Sequence, residues 1–170
     1  METSSKPDLR DEDRVAPFFD PDTKRMAVRT VSAVNDATAR TEITIGNHPV
    51  TITDEPITSG GMETGPTPLE IVLAGLVGCK AVMIHNVASA MNFDYEGVEI
   101  DAAGTVDLRG PKGVPGFRPY FDTVDVTITI FTEEPEDRMN KLALNAEARC
   151  PVVNLFRDAG TTVTAEWKIK

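Results

Sequence analysis

The chain has 170 residues, of which 41% are hydrophobic and 26% are charged, and its formal net charge at pH 7 is -10. The length predicts one globular domain, and the negative charge argues against nucleic acid or an anionic membrane surface as a partner. No apolar run follows the N-terminus, so we expect neither a secretory signal nor a membrane anchor, and we expect the protein to be cytoplasmic.

The N-terminal residues 1–24 are rich in Asp, Pro, Lys and Arg, which is typical of a loose arm. Their one apolar patch includes Phe18 and Phe19, through which we expect the arm to dock. The remaining residues, 25–170, are predicted to form a single domain.

This domain begins with residues that favour strands and tight turns. Alternating apolar residues predict a strand over residues 25–34, which the Asn35-Asp36 turn ends. The segments TEITI (41–45) and VTITD (50–54) flank a turn that contains Gly46, and they predict a hairpin.

The next segment, GPTPLEIVLAGLVGCKAVMIHNVASAM (65–91), predicts a long helix. Thr67 is its expected N-cap, Pro68 fills the first helical position, and Glu70 completes a capping box. The helix is apolar around most of its circumference, so we expect it to be buried. Polar residues near and beyond Ala81, among them Lys80, argue against a membrane span. The helix also contains two glycines, at positions 75 and 78, which suggest close approach by another backbone.

The C-terminal half returns to alternating patterns and short helices. Period-two patterns predict strands over residues 98–108, 123–130 and 163–169. Between the last two strands, Pro135 and Pro151 each mark the start of a predicted helix. The resulting order predicts an α+β fold with antiparallel sheets, and a second subunit is the simplest cover for the rest of the long helix.

Cys79 and Cys150 are the only cysteines, and two are too few for a disulfide framework. Cys150 precedes a helix and follows Arg149, a setting that predicts a lowered thiol pKa. Cys79 lies in mid-helix, where it is either a core residue or a nucleophile activated by a nearby cation. There is no CxxC motif and the two histidines are far apart, so we expect no metal and no cofactor.

Two segments, GPTPLEIVLAGLVGCK and AEARCPVVNLF, resemble the OsmC/Ohr family, and the resemblance extends over residues 25–170. It implies an OsmC-like fold, in which antiparallel sheets wrap long buried central helices in an intertwined homodimer. It also implies a site at the subunit interface.

The resemblance implies a thiol-dependent peroxidase that reduces organic hydroperoxides. Cys79 would become a sulfenic acid, and Cys150 would resolve it to a disulfide that an external thiol, such as a lipoyl dithiol, reduces. The activating arginine would come from the N-terminal strands, where Arg29 and Arg40 are the first candidates and Arg25 is the next.

One departure from the family pattern leaves alternatives open. The peroxidases carry a glutamate directly after the helix-opening proline, whereas this chain has Leu69 there and Glu70 one position later. Such a shift turns a helical side chain by about 100°, so Glu70 is either a catalytic partner or only a cap. The alternative functions are a non-catalytic dimeric binding or stress-response protein with unactivated cysteines, and a thiol enzyme for another electrophile.

Overall fold

Strands and three α-helices form the regular structure of the computed structural model, which describes residues 2–3, 6–18, 20 and 22–170. In chain order the elements are β1 (Glu2–Thr3), β2 (Val31–Asn35), β3 (Thr41–Ile45), β4 (Thr51–Thr53), α1 (Pro68–Met91), β5 (Gly97–Thr105), β6 (Thr123–Phe131), α2 (Glu136–Arg149), α3 (Pro151–Asp158) and β7 (Thr162–Ile169). The predicted α+β class is confirmed. The chain divides into two compact units, one formed by Met1–Phe18 with Gly75–Lys170 and the other by Phe19–Ala74.

The first unit contains a four-stranded sheet in the order β1-β7-β6-β5. Strands β5 and β6 are antiparallel, but β6 and β7 are parallel, with Thr123 opposite Thr162. The prediction of purely antiparallel sheets is therefore wrong for this unit. Because α2 and α3 both lie between β6 and β7, the connection is long enough for the crossover that parallel strands need.

The inner face of this sheet supplies much of the buried core. Alternate residues of β6 and β7 are buried, as a strand with one covered face requires. Helix α2 contributes Met139, Leu142, Ala143 and Ala146 to the same buried set.

The second unit contains the three-stranded antiparallel sheet β2-β3-β4. The predicted hairpin between residues 41–45 and 50–54 is confirmed as β3 and β4. Strand β2, however, begins at Val31 rather than at Arg25, and the predicted strand is too long. Val31 pairs with Ile45, the last residue of β3, so this hairpin offers no partner to the residues before Val31.

Helix α1 begins as predicted, with the capping box in place. The Glu70 carboxylate accepts hydrogen bonds from the Thr67 backbone N–H at 2.7 Å and from the Thr67 hydroxyl at 2.9 Å, and the Glu70 N–H donates back to Thr67 Oγ1 at 3.3 Å. These bonds satisfy donors at the helix start that would otherwise lack partners.

The single chain buries α1 along one side only, and the rest of its predicted burial would need the expected second subunit. Its buried residues are Leu76, Lys80, Ile84, Val87 and Ala88, which form one stripe against the core. By length and composition α1 could cross a membrane, so the polar residues near and beyond Ala81 do not exclude a span. The core helix of a soluble protein passes the same test.

The N-terminal arm packs on α2, and residues besides the predicted Phe18 hold it there. Leu9 and Val15 are buried, whereas Phe18 is exposed and Phe19 lies outside the described residues. Asn145 of α2 holds the arm, since its Oδ1 accepts from the Val15 N–H at 2.9 Å and its Nδ2 donates to the Asp13 carbonyl at 2.7 Å. The segment around Val15 is thus a fixed part of the first unit.

Candidate active site

The fold brings the sulfur atoms of Cys79 and Cys150 together. Cys79 lies in the middle of α1, and Cys150 is the residue between α2 and α3, so the two side chains meet where these helices pass each other. The Cys150 thiol donates to the Cys79 sulfur at an S–S distance of 3.5 Å, and both cysteines are free. A disulfide needs about 2.05 Å, so a small approach would form one.

The surroundings of Cys150 raise the pKa of its thiol to about 11. Burial is the largest cause, and it outweighs the Val153 N–H, which donates to the sulfur and lowers the pKa. Cys79 raises the pKa of Cys150 further, whereas the positive charge of Lys80 lowers it. The prediction of a lowered Cys150 pKa is wrong, because the helix N-terminus does not compensate for full burial.

Arg149 was the other reason for predicting a lowered Cys150 pKa. Its side chain contacts the N-terminal arm. It donates to the Val15 carbonyl and, at 3.1 Å, to Asn145 Oδ1. Its guanidinium also lies 5.2 Å from the centre of the Phe18 ring. Burial, followed by repulsion from the Arg14 charge, lowers the pKa of Arg149. Arg149 thus anchors the arm and brings a second positive charge close to Arg14.

A cavity of about 540 Å³ lies between the arm and α1, within the first unit. Apolar side chains and two guanidinium groups line it: Arg14, Val15, Ala16, Pro17, Phe18, Met83 and Arg149. Met83 lies one helical turn after Cys79, so the cavity adjoins the helix face that carries this thiol. Its walls combine apolar surface with positive charge, which suits an organic molecule.

The other predicted site residues belong to the second unit, where local contacts hold them. Arg40 donates to the Glu42 carboxylate at 2.8 Å, and Arg29 donates to the Val28 carbonyl at 3.2 Å. Glu70 serves as the helix cap described above, and hydrogen bonds from Thr67 lower the pKa of its carboxyl group. The capping interpretation of Glu70 is confirmed.

A group of buried charges beside the thiols was missed by sequence reasoning. Lys80 and Glu147 are both fully buried and form an ion pair, and Arg157 donates to the same carboxylate at 2.9 Å. The indole N–H of Trp167 also donates to Glu147, at 3.3 Å. Two signals could have found this group, namely a lysine in an apolar helix and a glutamate one turn before Cys150.

Within the described residues, no three His, Cys, Asp or Glu side chains are grouped as a metal site requires. The charged groups near the sulfurs are instead paired with one another.

Comparison with known proteins gives one family. The model of the family described as OsmC-like protein matches residues 60–166, a range that contains both cysteines and α1. No curated protein sequence matches the chain significantly.

Solved structures of similar fold cover most of the chain at low sequence identity. An OsmC-like protein from Mycoplasma pneumoniae has a TM-score of 0.70 at 14% identity, covering 85% of this chain and 96% of its own. An organic hydroperoxide resistance protein from Elizabethkingia anophelis has a TM-score of 0.68 at 16% identity, covering 87% and 100%. An organic hydroperoxide resistance protein OsmC from Legionella pneumophila has a TM-score of 0.64 at 18% identity, covering 86% and 99%.

Proposed function

Since the chain belongs to the OsmC-like protein family, we propose that it is a thiol-dependent peroxidase that reduces organic hydroperoxides. The observation that carries this proposal is the distance of 3.5 Å between the sulfurs of two free cysteines that are far apart in sequence. Reacting atoms held about 3–3.5 Å apart are in near-attack geometry, which removes much of the entropic cost of a reaction. Two structures of similar fold are organic hydroperoxide resistance proteins, which supports the same substrate class.

In the first step, Cys79 attacks the peroxide. Cys79 is partly exposed whereas Cys150 is buried, so a substrate reaches Cys79 first. The Cys79 sulfur bonds to one peroxide oxygen, the O–O bond breaks, and the alkoxide leaves as an alcohol with the proton that the thiol has lost. The sulfur gives up two electrons and becomes a sulfenic acid.

In the second step, Cys150 resolves the sulfenic acid. The Cys150 thiolate attacks the Cys79 sulfur, an S–S bond forms, and the S–O bond breaks. The departing hydroxide takes up the proton that Cys150 has lost and becomes water. An external dithiol, such as a lipoyl dithiol, then returns two electrons and two protons, which suits the reducing cytoplasm.

The cavity beside α1 is the proposed substrate site. Its apolar walls, including Phe18 and Met83, suit the organic part of a hydroperoxide, while small polar peroxides would gain little from them. By the resemblance, the cation that activates Cys79 is an arginine of the N-terminal strands, for which Arg29 and Arg40 are the proposed candidates.

Thiol counting after treatment with one equivalent of an organic hydroperoxide tests the proposal. The reduced protein should lose both thiols and gain a Cys79–Cys150 disulfide in its peptide map. Cys79→Ser should consume no peroxide. Cys150→Ser should complete one turnover, lose one thiol and then stop.

Retention of both thiols in the unsubstituted protein would overturn the proposal. That result would favour the alternative, a non-catalytic dimeric binding or stress-response protein. Two observations support this alternative: Leu69 occupies the position of the family's glutamate, and burial keeps Cys150 protonated.

A further inference from the structure

Four side chains form a closed group of hydrogen bonds around the carboxylate of Glu147. Lys80 and Trp167 donate to Oε1, and Arg157 donates to Oε2. Arg157 also donates to the Glu147 backbone carbonyl at 3.4 Å, and the Lys80 ammonium lies 5.9 Å from the centre of the Trp167 ring. We call these four residues the Glu147 cluster.

The cluster lies beside the thiol pair and spans the elements that carry it. Lys80 directly follows Cys79 on α1, and Glu147 lies one helical turn before Cys150 on α2. The Lys80–Glu147 ion pair therefore joins the two helices at the level where the sulfurs meet. Any separation of these helices would break both contacts together.

Stability alone does not account for such a cluster. Removing two charges from water costs several kcal/mol for each ion, and apolar residues of similar volume are often at least as stabilising. With two cations and one carboxylate, the cluster carries a formal charge of +1, and it is buried. This positive charge is placed next to a thiol that must become an anion in order to react.

Electrostatics give that charge a role in the second step of the proposed reaction. Burial raises the pKa of Cys150 to about 11, so only a small fraction is thiolate near neutral pH, while the charge of Lys80 acts in the opposite direction. The groups whose charges act on this sulfur are Cys79 and Lys80 from α1, and Lys80 is paired with Glu147 from α2, which also accepts from Arg157 of α3.

We propose that Lys80, held by Glu147, is a positioning residue for the thiol pair, whose ammonium group stabilises Cys150 as a thiolate while it attacks the Cys79 sulfur. This inference rests on the proposed function, because it assigns a residue to the resolving step. It differs from the family resemblance, which places the activating cation on an arginine and next to the first cysteine.

A mixed disulfide tests the proposal without any peroxide. Ellman's reagent should label Cys79 first, because Cys150 is buried, and this releases one thionitrobenzoate ion. The Cys150 thiolate then attacks the Cys79 sulfur, the S–S bond to the label breaks, and a second thionitrobenzoate leaves with its electron pair. The rate of this second release, followed by absorbance between pH 6 and pH 10, measures the attack by Cys150. Cys150→Ser should show only the first release.

Three substitutions of Lys80 separate its charge from its contacts. Lys80→Met removes the charge and the donor, Lys80→Gln removes the charge but keeps a donor for Glu147, and Lys80→Arg keeps the charge. If the charge matters, both neutral variants lower the thiolate fraction about ten-fold. Since a more basic thiolate is also more nucleophilic, we expect release about three- to ten-fold slower at neutral pH.

The controls distinguish this role from simple support of the fold. Thr161→Val removes a buried hydrogen bond to the Phe121 carbonyl, outside the Glu147 cluster and without changing any charge, and it should leave the rate and its pH profile unchanged. Lys80→Arg should restore most of the rate that the neutral variants lose. Thermal unfolding followed by circular dichroism identifies any variant that does not fold. If Lys80→Met does not fold, Lys80→Gln is the neutral variant whose release rate is compared.

Release at the unsubstituted rate in the neutral variants at every pH would overturn the proposal. So would a pattern in which Lys80→Gln, which keeps the donor, is as fast as the unsubstituted protein. Failure of the proposed function gives a different result, because peroxide would then leave both thiols intact while the second release still depended on Lys80.

Discussion

Cys150 is held as a neutral thiol by its surroundings, and this should make the stability of the reduced protein depend on pH. The pKa of Cys150 is raised to about 11 in the folded chain, above the ordinary value of about 8.5 in an unfolded chain. A thiol with a raised folded pKa contributes its full stability below the unfolded value. That contribution is lost as the pH rises through the folded value.

We therefore expect the free energy of unfolding of the reduced protein to fall by about 3 kcal/mol between pH 8.5 and pH 11 because of Cys150. Urea unfolding of the reduced protein and of Cys150→Ala across this range measures the effect. The other titratable groups are the same in both proteins, so the difference between the two curves isolates Cys150. Parallel curves would show that the thiol ionises as easily in the folded chain as in the unfolded one.

The two cysteines and the buried charges differ in how far the sequence predicted them. A resemblance to a family motif was enough to pair Cys79 with Cys150, because the motif carries three-dimensional information. The neighbouring residues in sequence predicted the wrong direction for the Cys150 pKa, since the degree of burial is set by elements far away in sequence. Sequence reasoning also failed for Lys80, which has a polar side chain but lies in the core, where Glu147 pairs with it from another helix.

Helix α1 illustrates what sequence patterns decide at the scale of an element. Its start was predictable because a capping box is local, and Thr67, Pro68 and Glu70 occupy the expected positions. Its burial was not predictable in the same way. An apolar circumference indicates that a helix needs covering, but it does not say whether the same chain provides the cover.

The capping box gives a prediction at this scale. Thr67→Ala removes the hydroxyl that accepts from the Glu70 N–H, and it should lower the free energy of unfolding by about 0.5–2 kcal/mol. Thr67→Ser keeps the hydroxyl and is the matched control. Chemical denaturation of the three proteins at neutral pH measures the loss.

Acid should remove part of the same cap. The pKa of Glu70 is lowered in the folded chain, so the stability that its carboxylate contributes is present above the unfolded pKa and is lost as the pH falls through the folded value. Unfolding curves between pH 7 and pH 3 should thus show a smaller acid loss for Glu70→Gln than for the unsubstituted protein. Equal losses would mean that the carboxylate contacts with Thr67 do not persist in solution.

At the scale of the whole molecule, one face of α1 is exposed in the single chain. The exposed residues of α1 within the first unit include a stripe at helical spacing that consists of Gly75, Gly78, Val82, His85 and Ser89. Apart from its chain neighbours and the backbone of the same helix, a Cβ atom added at Gly75 or Gly78 would meet no atom of the described residues within 4 Å. The close backbone approach predicted from these glycines is therefore not made within the described residues, and we propose that a partner's helix makes it in a homodimer.

A single charge on this stripe should separate the subunits. Val82 is 59% exposed in the single chain, so Val82→Glu costs little in a monomer, but in a two-fold contact it would place two carboxylates in an apolar interface. Leu108→Glu is the matched control, since Leu108 is 57% exposed but lies in the turn that follows β5 rather than on α1. In sedimentation velocity we expect a dimer for the unsubstituted protein and for Leu108→Glu, and a monomer for Val82→Glu. A monomeric unsubstituted protein, or a Val82→Glu dimer of unchanged affinity, would mean that the glycine stripe is not the subunit interface.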